Sequence, residues 1–251
     1  MHTKTLGVLG GLGPMSGVSF CEMLIRHTQA ARDQEHLNFL LSSFAQTPDR
    51  TDFILGRSSE NPVHAMVEQV RKLIAVGADA IAIPCNTAHY FYDTISGASS
   101  VPVINIIDET VSFCKQENVE TVGVLATEGT VASGAYESVC RREGLKYLTC
   151  TAEEQTVISH MIYGQIKRGQ VPRREELESV VSALWKRGCQ RIILGCTELS
   201  LLKQQFDLGD EWIDSLEVLA CAAIRMCGKE PVGFSPALLK FQPTKGKNLC
   251  C

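Results

Sequence analysis

The sequence predicts an α/β fold of two pseudo-symmetric lobes, each a mostly parallel sheet flanked by helices, with an active site in the cleft between them. Three observations carry this. Short apolar runs rich in Val, Ile and Leu alternate with longer amphipathic stretches, the pattern of βα units that feed a parallel sheet. The opening run Thr-Leu-Gly-Val-Leu-Gly at 5–10 returns as Thr-Val-Gly-Val-Leu-Ala at 121–126, a displacement of 116 (121 minus 5). Likewise GADAIAIPCNT from Gly77 returns as GCQRIILGCTE from Gly188, a displacement of 111 (188 minus 77) that sets Cys85 against Cys196.

In chain order, a strand is expected at 5–10, and Pro14 then opens a helix over 15–31, a position where its missing N–H costs nothing. Further Val/Ile/Leu runs place strands at 37–44, 79–84, 102–106, 121–126, 146–150 and 190–195. Helical periodicity places helices at 62–76, 88–96, 107–117, 130–143, 153–168, 173–187, 198–206 and 215–227. The first lobe takes 1–115 plus a returning segment, 208–228, because the last helix lacks a partner in its own half; the second lobe takes 116–207. The Pro, Gly and Lys content after Gly228 predicts a flexible tail over 229–251.

Composition narrows the class. With 45% hydrophobic and 21% charged residues in 251, the chain can bury a proper core. A net charge of −4 without a Lys/Arg cluster argues against nucleic acid as a partner. No run of 18 apolar residues and no leader-like N-terminus point to no membrane and a cytoplasmic location. Eleven cysteines lie scattered without CxxC or zinc-ligand spacing, so neither a disulfide framework nor a metal site is expected. Cys250-Cys251 lacks a CaaX box and reads as part of the tail rather than a lipid anchor.

Chemistry concentrates at strand ends, where parallel sheets gather ligands. Cys85 sits in Ile83-Pro84-Cys85-Asn86-Thr87-Ala88-His89, a strand end running into a helix whose N-terminal field favours a thiolate. Cys196 sits in Leu194-Gly195-Cys196-Thr197-Glu198-Leu199, again with a capping-type hydroxyl after it. A buried Cys usually behaves as a small hydrophobe, but packing has no need of matched thiols in a repeat. Arg50 lies in a loop of turn formers, where its fork suits a planar carboxylate. Lys167 closes a helix before Gly169, a place that also suits a dipole-complementing cation. Gly10, Gly11 and Gly13 do not complete a dinucleotide fingerprint, since Ser16 stands where the third Gly belongs; they let backbone approach a small substrate instead. Thr127 and Thr130 occupy the equivalent turn of the second half, as helix cap or as substrate contact, and His89 is the one histidine near a thiol.

These motifs, LGGLGP at 9–14, PDRT at 48–51, PCNTAH at 84–89 and GCTEL at 195–199, resemble the aspartate/glutamate racemase family over residues 4–227. PDRT and IYGQIKRG at 162–169 look particularly like the aspartate racemases within it. The resemblance implies racemisation of a small acidic amino acid without pyridoxal phosphate or metal, one thiolate removing the α-proton while the other thiol reprotonates the opposite face. It assigns catalysis to Cys85 and Cys196. Substrate binding falls to Leu12, Arg50, Asn86, Thr87, Ala88, Thr130, Lys167, Thr197 and Glu198, with Arg50 and Lys167 on the side-chain carboxylate. It also implies a homodimer. Glu198 stands where glutamate racemases usually carry His, a departure from the strict glutamate pattern. Alternatives are a related two-cysteine isomerase, such as a maleate isomerase or hydantoin racemase, and a non-catalytic two-lobed amino-acid sensor.

Overall fold

The computed structural model describes residues 4–244, the side chain of Gln204 excepted. Two parallel four-stranded sheets form the frame. In the first, β1 (Thr5–Gly10), β2 (Asn38–Ser43), β3 (Ala80–Ala82) and β4 (Val103–Ile104) lie in the order β2-β1-β3-β4. In the second, β5 (Thr121–Leu125), β6 (Lys146–Thr149), β7 (Arg191–Leu194) and β8 (Trp212–Asp214) lie in the order β6-β5-β7-β8. Each order is the other displaced by four strands, so the sequence repeat is a repeat of topology in which β1 answers β5 and β3 answers β7.

The helices are α1 (Pro14–Arg26), α2 (Arg50–Ile54), α3 (Val63–Ala75), α4 (Tyr92–Gly97), α5 (Ile106–Gln116), α6 (Glu128–Ala132), α7 (Ala135–Glu143), α8 (Ala152–Ser159), α9 (Arg174–Lys186), α10 (Ser200–Gln205), α11 (Ser215–Met226) and α12 (Pro236–Lys240). Side-chain caps start many of them: Asp49 accepts from Asp52 N–H, Asn105 from Ile107 and Asp108, Thr127 from Thr130, and Asp214 from Leu216. In the first turn, Gly11 holds φ 81° where a Cβ would collide with the Phe44 backbone, so only glycine lets β1 pass into α1 here.

Several expected elements differ. The helix expected over 130–143 is two, because Gly134 turns left-handed at φ 65° between α6 and α7. The helix expected over 153–168 leaves α-geometry after Ser159, continuing as a π-helical turn over His160–Gln165 and a 3₁₀ turn over Ile166–Arg168. β8 was not expected; it is three residues of buried edge strand, too short for a period to show. Because β8 pairs with β7, the second sheet extends past residue 207, and the returning segment begins at α11 rather than at 208. α11 packs on α5 and α1 with nine of its residues buried.

The segment 229–251, expected to be flexible, is docked as far as Thr244, and 245–251 lie outside the described residues. Phe234 stacks on His27 at 4.0 Å, and Leu238 and Phe241 are buried against α11 and α5. Each such large apolar side chain contributes about 1.5–3 kcal/mol toward holding the segment down. Glu109 on α5 accepts from the Thr244 N–H and hydroxyl.

Candidate active site

The C-terminal ends of the two sheets meet around one small cavity. Its wall takes in Leu12, Arg50, Cys85, Asn86, Thr87, Lys167, Cys196, Thr197 and Glu198, nine of the eleven residues singled out in the sequence. The free space is about 10 Å³, room for about one water. Asp49, Arg50, Lys167 and Glu198 also border a chamber of about 510 Å³ that runs past Gly13, Ser16 and Ile166. An amino acid entering the thiol cavity from this chamber must displace that shared wall.

Cys85 is held at the end of β3 by its turn. The buried His89 ring faces the Cys85 carbonyl through Nδ1 at 2.9 Å, and Nε2 accepts from Ile106 N–H at 3.2 Å. That acceptor role fixes the proton on Nδ1, and burial lowers the imidazole's pKa, so His89 is a neutral clamp between this turn and α5. Asn86 is spent on structure in the same way, donating to Ser215 Oγ at 3.0 Å and accepting from Tyr136 OH at 2.7 Å. Thr87 Oγ1 closes a ring of hydroxyls with Thr127 and Thr130 across the seam between the lobes, at 2.9–3.0 Å.

Cys196 is equally buried, but has a charged partner. Its Sγ donates to Glu198 Oε2 at 3.0 Å, while Lys167 Nζ lies 3.7 Å from Glu198 Oε1 and 4.6 Å over the Tyr163 ring. Burial, and then the Glu198 charge and hydrogen bond, push the Cys196 thiol well above its ordinary pKa. Lys167 lies on the 3₁₀ turn that follows the change of helix geometry after Ser159.

Arg50, the first residue of α2, is 7% exposed. Its guanidinium donates to three carbonyls, of Leu12 at 2.9 Å, Pro48 at 3.1 Å and Thr47 at 3.4 Å, and Nε has no partner. No carboxylate pairs with it among the described residues. A buried guanidinium held by neutral dipoles keeps most of its charge for an incoming anion.

Two expected contacts are absent from the wall. Ala88 is fully buried in the apolar cluster around β3, and Thr130 stands behind Thr87. Four further residues complete the wall: Asp49 and Thr51 from PDRT, Thr127, which the sequence offered as helix cap or substrate contact, and Tyr163, whose hydroxyl donates to Thr51 Oγ1 at 2.8 Å. The PDRT and IYGQIKRG segments already contained three of them.

Residues 9–223 match the family model described as Asp/Glu/Hydantoin racemase. The chain is 28% identical over 226 residues to the broad specificity amino-acid racemase RacX of Bacillus subtilis, covering 87% of this chain and 96% of that one. It is 30% identical over 172 residues to the glutamate racemase of Aquifex aeolicus, covering 65% of each. Among solved structures, the Picrophilus torridus aspartate racemase superposes with a TM-score of 0.81 at 29% identity, covering 91% of this chain and 96% of that one. With its two matched sheets, its strand-end thiols and a family match over most of its length, the chain belongs to the Asp/Glu/hydantoin racemase family.

Proposed function

We propose that the protein interconverts L- and D-aspartate without pyridoxal phosphate, Cys85 and Cys196 acting as the acid/base pair. The observation that supports this most is the placement of two buried thiols at equivalent strand ends of a repeated fold, in one cavity with Arg50, which pairs with no carboxylate among the described residues. One sulfur, as thiolate, takes the α-proton; the C–H electron pair passes to the planar carbanion. The other, as thiol, returns a proton to the opposite face, and the roles exchange with direction. Analogy with the family sets Cys85 on the D-isomer's proton and Cys196 on the L-isomer's. On the Cys196 side Glu198 is placed to take or return the thiol proton.

Arg50 and Lys167 receive the side-chain carboxylate, Lys167 by exchanging Glu198 for substrate. Main-chain N–H groups of the Asn86-Thr87 and Thr197-Glu198 turns meet the α-carboxylate as charge develops. The chamber beside them leaves room for the extra methylene of glutamate, so a slower glutamate activity goes with this reading. A homodimer goes with this reading, as the resemblance to the family implies. Proton NMR of aspartate in D2O tests the function: loss of the α-proton signal with loss of optical rotation is expected, unchanged by a chelator or a carbonyl-trapping reagent and abolished by thiol alkylation. Retention of the α-proton overturns it.

A further inference from the structure

PDRT at 48–51 and IYGQIKRG at 162–169 meet in the structure through a hydrogen bond. Tyr163 OH, on the second lobe, donates to Thr51 Oγ1, on the first, at 2.8 Å. Thr51 is buried, and Gly129 of α6 packs so closely on it that a Cβ there would lie 2.8 Å from Thr51 Oγ1. The acceptor is therefore held in place. Burial pushes the Tyr163 hydroxyl above its ordinary pKa, so it stays protonated and keeps donating.

The same ring seats a charge. Lys167 Nζ stands 4.6 Å over the centre of the Tyr163 ring and 3.7 Å from Glu198 Oε1, and Glu198 Oε2 accepts from Cys196 Sγ at 3.0 Å. An ammonium on a flexible four-carbon stem has rotamer freedom to lose, and an aromatic face within about 6 Å attracts it. Tyr163 lies in the π-helical turn, a geometry that gathers at functional sites, and Lys167 in the 3₁₀ turn after it. Besides the thiols and Tyr163, the ionisable side chains of the cavity wall are Asp49, Arg50, Lys167 and Glu198. Of the two cations, Arg50 is held by three backbone carbonyls and Lys167 by the ring and Glu198.

We propose that Tyr163 is a positioning residue for Lys167: its ring holds the ammonium beside Glu198, its hydroxyl anchors that ring to the neighbour of Arg50, and the spacing of the two cations so fixed selects the shorter acidic side chain. This rests on the reading in which Arg50 and Lys167 receive the substrate's side-chain carboxylate. The seat also bears on Cys196. Burial and the Glu198 charge raise the pKa of that thiol, and the Lys167 charge opposes them.

The pH profile of Cys196 alkylation by iodoacetamide, read by peptide mass mapping on the full chain without substrate, tests the ring without relying on racemisation. Lys167→Met should move the profile up by about half a unit or more, as loss of a nearby cation requires, and Tyr163→Leu should do the same. Hydration through the missing ring alone would move it down. Tyr163→Phe keeps the aromatic face and should leave the profile where it was. In the Lys167→Met background, Tyr163→Leu should add no further rise, since no ammonium is left to seat. A downward or absent shift in Tyr163→Leu, or rises that add in the double variant, overturns the proposal. The anchor is read by kinetics. Tyr163→Phe should raise KM for aspartate about threefold with a smaller change in kcat, the worth of one neutral hydrogen bond, and should narrow the kcat/KM preference for aspartate over glutamate. An unchanged preference overturns the anchor. Retention of the α-proton by the unaltered protein would instead overturn the racemisation, and with it the selection of side chain, while the alkylation profiles still decide whether the ring seats Lys167.

Discussion

The two thiol-bearing turns stand at equivalent points of a duplicated topology, yet their side chains have taken different work. The displacement of 111 that aligns Cys85 with Cys196 also aligns Thr87 with Glu198. In the first turn that position reaches across the seam into the hydroxyl ring of Thr127 and Thr130. In the second it turns back and accepts a hydrogen bond from the thiol. Among the described residues, no hydrogen bond reaches Cys85 Sγ. Topology fixes where each sulfur sits; the residue two places on decides how its proton is held. A symmetric scaffold thus holds its two thiols in unlike settings.

The largest test of that asymmetry is to remove each sulfur in turn. Cys85→Ser and Cys196→Ser should each lower racemisation by more than about 10³-fold, since a serine hydroxyl is a far poorer base. Each should still wash out the α-proton of one enantiomer in D2O, the L-isomer in Cys85→Ser and the D-isomer in Cys196→Ser. Exchange of the same enantiomer in both variants would show that the thiols do not face opposite sides of the carbon. Arg50→Lys, assayed by kcat/KM for aspartate, should cost about 2–4 kcal/mol, because an ammonium cannot reproduce a fork held by three carbonyls. An unchanged kcat/KM would take Arg50 out of substrate binding.

Much of this contrast was legible in the sequence because repeats and strand-end motifs are local signals. Cys85 and Cys196 stood out once GADAIAIPCNT was laid on GCQRIILGCTE, and that repeat anticipated two matched sheets. What stayed hidden depends on contacts between segments far apart in the chain. Ala88 and Thr130 sit in the right motifs, but the direction of a side chain within a turn is set by packing, which turns one into the core and the other behind Thr87. Tyr163, which lines the cavity, lies in a π-helical turn that apolar periodicity does not encode. β8 and α12 are three and five residues long, shorter than a pattern needs.

Glu198→Gln sharpens the comparison from the other side. It keeps the shape but removes a charge that, after burial, is the next largest cause of the raised Cys196 pKa. The Cys196 thiolate should therefore form at lower pH, and its alkylation by iodoacetamide, followed by peptide mass mapping, should begin at lower pH while that of Cys85 keeps its profile. Loss of that carboxylate should slow turnover by about 10²-fold, the low end of general-base effects. Because racemisation has an equilibrium constant of one, kcat/KM must fall by the same factor in both directions, and any asymmetry must appear in kcat and KM together. A Cys196 profile unmoved by the substitution would separate Glu198 from its thiol.

The smallest effect belongs to the hydroxyl ring that Thr87 enters. Thr130 was expected at the substrate, but it touches Thr87 and Thr127 instead, and Thr127 also accepts its N–H at 3.2 Å. Thr130→Val keeps the volume and deletes one hydroxyl of the ring, leaving Thr87 and Thr127 able to bond each other at 2.9 Å. The net cost of one such bond is about 0.5–1.5 kcal/mol, so denaturant unfolding should show a loss of that order. Aspartate kcat/KM should fall no more than about fivefold, through a looser Thr87 turn, and Thr130→Ser should restore both. A loss comparable with that of Arg50→Lys, with stability unchanged, would mean that the Thr130 hydroxyl meets the substrate after all, and that the seam opens when the amino acid enters.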